Sequence, residues 1–229
     1  MNRIGIIAAM QEECEAIINI MEEIKEKEIS RITFYEGKIN NKNIILVKCG
    51  IGKVNAARVT QILIDNYKIE YVVNIGSAGA LNPSLEIGDI VVANKLIQHD
   101  FDITAFGHTK GYITGVGDYI YCDDKLVTDI KKAFSNIDLK ECKIVDGIIA
   151  SGDIFCTNVL MKEKIYSKFN ADCVEMEGAA IAQVCYLDNV PFVVIRSISD
   201  SPNGKNAMVF DKFVRLAANR CAEFLKSYI

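Results

Sequence analysis

Tyr71-Val72-Val73-Asn74-Ile75-Gly76-Ser77-Ala78-Gly79 is a nearly unbroken apolar run that passes into a turn punctuated by glycine. A strand buried on both faces of a parallel sheet has this look, because neither face needs polar residues. Two other stretches are built alike. Ile4-Gly5-Ile6-Ile7-Ala8-Ala9 leads into Met10-Gln11-Glu12-Glu13, and Pro191-Phe192-Val193-Val194-Ile195 leads into Arg196-Ser197-Ile198-Ser199-Asp200. Between them the spacing is helical: over Glu12 to Lys25 (Ala16, Ile17, Ile20, Ile24), over Lys53 to Tyr67, over Asp123 to Phe134, over Gly178 to Leu187 and over Asn206 to Tyr228. Ile29 to Tyr35 and Asn43 to Cys49 flank a turn-rich connector and predict a hairpin, so the sheet is mixed. Asp89 to Gln98 and Lys143 to Ala150 add further strands. The expectation is one α/β domain over residues 1–229, with three α/β/α layers around a central, mixed, twisted sheet.

The 229 residues are half hydrophobic and 24% charged, which suits a globular chain and excludes disorder as its main state. A formal charge of -4 without a basic block argues against a nucleic-acid polymer as partner. Eight cysteines are scattered singly with no Cys-x-x-Cys pair, so reduced, mostly buried thiols are expected and no metal. His99 and His108 are read as packing or loop residues. The first apolar run is too short for a leader, and no stretch is long enough to span a membrane, so a cytoplasmic protein is expected. Asp100 to Tyr121 has no clean period, and a loop of that length is usually functional or covered by a partner.

Ligands of open α/β sheets sit beyond the carboxyl ends of the strands, where loops meet helix N-termini. Those ends carry Glu12 and Glu13, Gly76 to Gly79, and Arg196 to Asp200, and Val174-Glu175-Met176-Glu177 precedes a helix. Several carboxylates with one arginine can therefore converge on a crevice. Each also has an ordinary reading. Glu12 and Glu13 suit the positive end of a helix, Glu175 and Glu177 can be exposed acids around Met176, and Asp200 before Ser201-Pro202-Asn203-Gly204 suits a turn. Gly76 to Gly79 lacks the lysine and spacing of a phosphate-binding loop.

Taken in order, the segments at 5–13, Gly50-Ile51-Gly52-Lys53-Val54-Asn55-Ala56-Ala57, 76–79, Ser151-Gly152-Asp153, 174–177 and 196–200 resemble the 5′-methylthioadenosine/S-adenosylhomocysteine nucleosidases. The resemblance implies a nucleoside phosphorylase-like α/β fold, a homodimer, no cofactor, and hydrolysis of the bond between adenine and a 5′-thio-substituted ribose. By similarity Asp200 is the general acid toward adenine N7, a role that burial would support, and Glu13 activates the water. Glu177 takes the ribose hydroxyls, Met176 packs on the sugar, and Ser77 and Arg196 keep water and Glu13 in line. Phe155 stacks on adenine and the backbone of Cys156 reads it, with Ala78, Glu175 and Ser199 also in the binding set. Met10, Ile51 and Phe210 line the 5′-thio space and Phe106 reaches over from the partner subunit. Thr114 stands where some relatives carry a proline.

Three alternatives differ in chemistry. A phosphorylase on the same scaffold needs cations for phosphate, whereas the first loop here reads Ala9-Met10-Gln11-Glu12-Glu13. A futalosine-type hydrolase differs only in substrate. A nucleoside-binding sensor has no use for a water-activating carboxylate opposite a base-protonating one.

Overall fold

In a computed structural model the chain is described at residues 3–134, 142–202 and 207–229, with backbone alone at 134 and 207–212. The strands are β1 Arg3–Ala8, β2 Glu22–Ile29, β3 Ile32–Ile39, β4 Lys42–Lys48, β5 Ile69–Ala80, β6 Ile90–Gln98, β7 Ile120–Tyr121, β8 Ile144–Ser151, β9 Cys173–Glu175 and β10 Phe192–Asp200. The helices are α1 Gln11–Ile18, α2 Lys53–Asn66, α3 Asp124–Phe134, α4 Val159–Phe169, α5 Gly178–Leu187 and α6 Ala207–Tyr228. The ten strands of the described residues form one mixed sheet in the order β10-β6-β8-β9-β5-β1-β4-β3-β2, with β7 on β6. β5 also pairs with β10, so β5, β10, β6, β8 and β9 close into a ring while β1, β4, β3 and β2 extend from it. Sequence patterning gives the mixed sheet but not its closure, which depends on two short pairings between β9 and its neighbours.

The three apolar runs become β1, β5 and β10, parallel neighbours in register: Ile6 lies beside Val73, and Val194 beside Asn74. Ile6, Ile7, Val72, Val73 and Ile75 have no exposed surface. Each such aliphatic side chain contributes about 1.5–3 kcal/mol on burial, so these strands anchor the fold. One apolar cluster, including Leu63 and Ile181, packs α2 and α5 on one side of the sheet. Another, including Ile17, Ile130 and Phe224, packs α1, α3 and α6 on the other. A third gathers Ile165 and Phe169 of α4 against Ala150 and Val174.

Several segments differ from their sequence reading: residues 76–79 do not turn but continue β5 to Ala80. The first helix stops at Ile18, and residues 22–29 form an exposed strand paired antiparallel to β3. Ile20 and Ile24 mimic helical spacing, but hydrogen bonding to β3 decides, and strand pairing routinely overrides so short a periodicity. The charges of Glu22-Glu23-Ile24-Lys25-Glu26-Lys27-Glu28 suit a sheet edge, where they discourage pairing with another chain. There are thus two hairpins rather than one, turning at Ser30-Arg31 and Asn40-Asn41 with all four φ values positive. That is the two-residue turn favoured by strand twist. Sequence reading also passes over α4, which begins where the Asn158 side chain accepts the N–H groups of Leu160 at 2.8 Å and Met161 at 3.3 Å.

Candidate active site

A cavity of about 350 Å³ opens at the carboxyl ends of β1, β5 and β10, within the ~300–1,000 Å³ usual for small-molecule sites. Met10, Glu13, Ile51, Ser77, Ala78, Phe155, Cys156, Glu175, Met176, Glu177, Arg196, Ser199 and Asp200 all line it. Phe106 does not; it sits on a 3-10 turn, Thr104–Phe106, with 80% of its surface exposed. Phe210 lies outside the residues whose side chains are described. Ala9, Gly79, Ile154 and Val174 also line the cavity, although sequence reading assigns them nothing there.

Glu13 is buried at the start of α1, where Oε2 accepts the N–H groups of Ala9 and Met10 at 3.0 Å. Its Oε1 faces β5 and accepts the Ser77 N–H at 3.0 Å and the Ser77 hydroxyl at 3.3 Å. Capping and cavity-lining are therefore one role for this side chain. Gly76 makes the approach possible: a Cβ there would lie 2.8 Å from Arg196 Nη1 and 2.9 Å from Glu13 Oε1. Gly79 does the same for the acid opposite, since its Cβ would fall 2.9 Å from Asp200 Oδ1.

Glu175 and Glu177 are buried, not exposed acids around Met176. The three-residue β9 carries Glu175 inward, where Oε2 receives Arg196, the Glu177 N–H at 3.1 Å and the Gly178 N–H at 2.7 Å, and Oε1 receives the Ser151 hydroxyl. Burial pushes its carboxyl up, but Arg196, Ser151 and Gly178 together outweigh that and hold it below the usual range. Arg196 also donates to Asn74 Oδ1 at 2.6 Å. Its guanidinium is thus committed to Glu175 and Asn74, and Ser77 rather than Arg196 hydrogen-bonds Glu13. Glu177 accepts the Gly52 N–H at 2.9 Å; burial first, and then the Glu175 charge, raise its carboxyl to about 7.

Asp200 ends β10 at a bulge, where the register with β5 shifts between Ile198 and Asp200. Successive strand residues ordinarily face opposite ways, and the bulge is what lets both Ser199 and Asp200 line the cavity. Lys162 of α4, 2% exposed, forms an ion pair with Asp200 Oδ2 and donates to the Ser201 carbonyl at 3.0 Å. Burial of Asp200 therefore comes with a cation. Sequence reading misses Lys162 because α4 carries no strong periodic signal, and it gives no role to Asn74 or Ser151. Among the described residues no group of three His, Cys, Asp or Glu is placed to hold a metal ion, and no helix is long and apolar enough to cross a membrane.

Residues 3–229 match the sequence profile of the phosphorylase superfamily. The 5′-methylthioadenosine/S-adenosylhomocysteine nucleosidase of Geobacillus sp. (strain WCH70) is 40% identical over 99% of this chain and 97% of its own. The nucleosidase of that name from Colwellia psychrerythraea 34H, solved in complex with adenine, superposes with a TM-score of 0.95 at 37% identity, covering 99% of this chain and 94% of that one. A futalosine hydrolase from Helicobacter pylori gives 0.93 at 36% identity, covering 99% and 97%. With relatives of this identity aligned from end to end and the closed mixed sheet they share, the chain belongs to the 5′-methylthioadenosine/S-adenosylhomocysteine nucleosidase family of the phosphorylase superfamily.

Proposed function

We propose that this protein hydrolyses the N-glycosidic bond of 5′-methylthioadenosine and S-adenosylhomocysteine, and of 5′-deoxyadenosine where offered, releasing adenine and the 5′-substituted ribose. The observation that carries the reading is that Glu13, Glu177 and Asp200, remote in sequence, line one cavity. Departure of the base leaves positive charge on the ribose and negative charge on adenine. Asp200 delivers a proton to N7, Glu13 takes one from the attacking water, and Glu177 holds the ribose hydroxyls, with Met176 against the sugar. A positioned acid or base contributes about 10²–10⁴ in rate each. Phe155 and the Cys156 backbone receive the purine, while Met10, Ile51 and Phe210 border the 5′-thio group.

Water rather than phosphate fits as nucleophile because the arginine in the cavity wall is engaged by Glu175 and Asn74. The test is purified protein with methylthioadenosine in phosphate-free buffer, followed by free adenine. Adenine release without phosphate is expected; strict phosphate dependence with ribose 1-phosphate as product overturns the reading. A futalosine substrate runs beside it, since a futalosine hydrolase superposes nearly as well. To the same proposal belong one domain over 1–229, a homodimer in the cytoplasm serving methionine salvage, and a Phe106 that covers the partner subunit's cavity. Its high exposure, away from its own cavity, supports this.

A further inference from the structure

Lys162 is the buried cation that the mechanism above leaves without work. It comes from the middle of α4 and does not line the cavity, so it reaches a ligand there only through Asp200. An ammonium taken out of water is expensive unless it is paired and hydrogen-bonded. Here it is both, with Asp200 Oδ2 and the Ser201 carbonyl as acceptors. The Ser199 hydroxyl, 3.3 Å from Asp200 Oδ1, carries no charge. In this pair the proton sits formally on the lysine nitrogen. A carboxylate in that state has none of its own to give.

Resting on the glycosidase reading, we infer that Lys162 is a positioning residue that acts through Asp200, and that the proton taken up by the departing purine is the one these two side chains hold between them. The N–H bond of Lys162 breaks as an O–H bond forms on Asp200, and that O–H bond breaks as N7–H forms. The electron pair of the glycosidic bond goes to the purine. Lys162 is left as a neutral amine and Asp200 as a carboxylate. The attacking water gives a proton to Glu13, and once product has gone Glu13 releases it to solvent while solvent reprotonates Lys162.

The discriminating experiment compares two leaving groups on the same sugar. Adenine needs a proton to depart; the nitrophenolate of 5-methylthioribosyl p-nitrophenolate does not. In Lys162→Met, kcat on methylthioadenosine is expected to fall at least about 10-fold, while the rate on the nitrophenyl substrate stays within about twofold. Lys162→Arg keeps the cation beside Asp200 but holds its proton, so it should not recover adenine release. Lys162→Gln, polar but uncharged, is the second variant should methionine disturb folding, and it should show the same selective loss. Equal losses on both substrates, or undiminished adenine release by Lys162→Met or Lys162→Gln, overturn the inference. The wild-type protein reads the underlying function separately: cleavage of the nitrophenyl substrate with no adenine from methylthioadenosine refutes the nucleosidase reading itself.

Discussion

Glu13 and Ser77 meet twice, through the Ser77 N–H at 3.0 Å and its hydroxyl at 3.3 Å, both on Glu13 Oε1, while two N–H groups at the head of α1 occupy Oε2. A carboxylate has about four lone-pair sites, and four donors already address this one. The hydroxyl contact is the longest and belongs to a group that rotates freely. On the proposed reading, it is the contact that the attacking water displaces.

Replacing Glu13 by Gln puts an amide NH₂ where two donors now point. Leaving buried donors unmatched costs about 1–3 kcal/mol, so urea unfolding of Glu13→Gln should show a loss of that size. Its kcat should fall by about 10²–10⁴. Ser77→Ala keeps three of the contacts and should stay within about tenfold of wild type in kcat. A Glu13→Gln variant with near-normal turnover removes Glu13 from the role of base.

Gly76→Ala tests the close approach of β5 to the site. The added methyl meets Arg196 Nη1 and Glu13 Oε1 inside 3.0 Å, and both are held by hydrogen bonds in a buried setting. Overpacking of this kind costs about 1–3 kcal/mol. The expected result is a lowered melting temperature together with a loss of kcat at least as large as that of Ser77→Ala. Wild-type behaviour in both measurements would mean that β5 moves aside freely.

Glu177 supplies a pH-dependent prediction whose sign follows from its raised carboxyl. Between its ordinary 4.5 and about 7 the folded chain keeps a proton that the unfolded chain has released, so its contribution to stability is lost as pH rises through about 7. Glu177→Gln keeps an acceptor for the Gly52 N–H without the ionisation. Its melting temperature should exceed that of the wild type near pH 8, by an amount worth about 3 kcal/mol, and the advantage should vanish near pH 4. An equal offset at both pH values contradicts this account. The same substitution weakens the grip on ribose hydroxyls and should raise KM.

What the sequence reveals and what it hides divide along physical lines. β1, β5 and β10 are legible because strands buried on both faces must be apolar throughout, and α2 because its buried residues Ala56, Val59, Thr60 and Leu63 recur at helical spacing. β2 is not, since an edge strand has no buried face to impose a pattern and its charges read equally well as a helix surface. The acids at 13, 175, 177 and 200 are visible as residues beyond strand ends, but their burial is not, because it depends on β9, three residues long, closing the ring. Lys162 leaves no trace at all. A lysine in a polar-looking helix is nearly always solvated, and only the fold places this one beneath Asp200.

The shift of register near the end of β10 governs how this scaffold tolerates change. One residue there lacks an opposite number on β5, and beside that mismatch two adjacent residues line the same space. Lengthening or shortening the strand by a single position would restore regular alternation and aim the carboxyl of residue 200 elsewhere, with every amino acid of the pocket still in place. The chemistry of this protein is therefore encoded partly in arithmetic. Insertions and deletions at this one strand end should be as damaging as the loss of an acid.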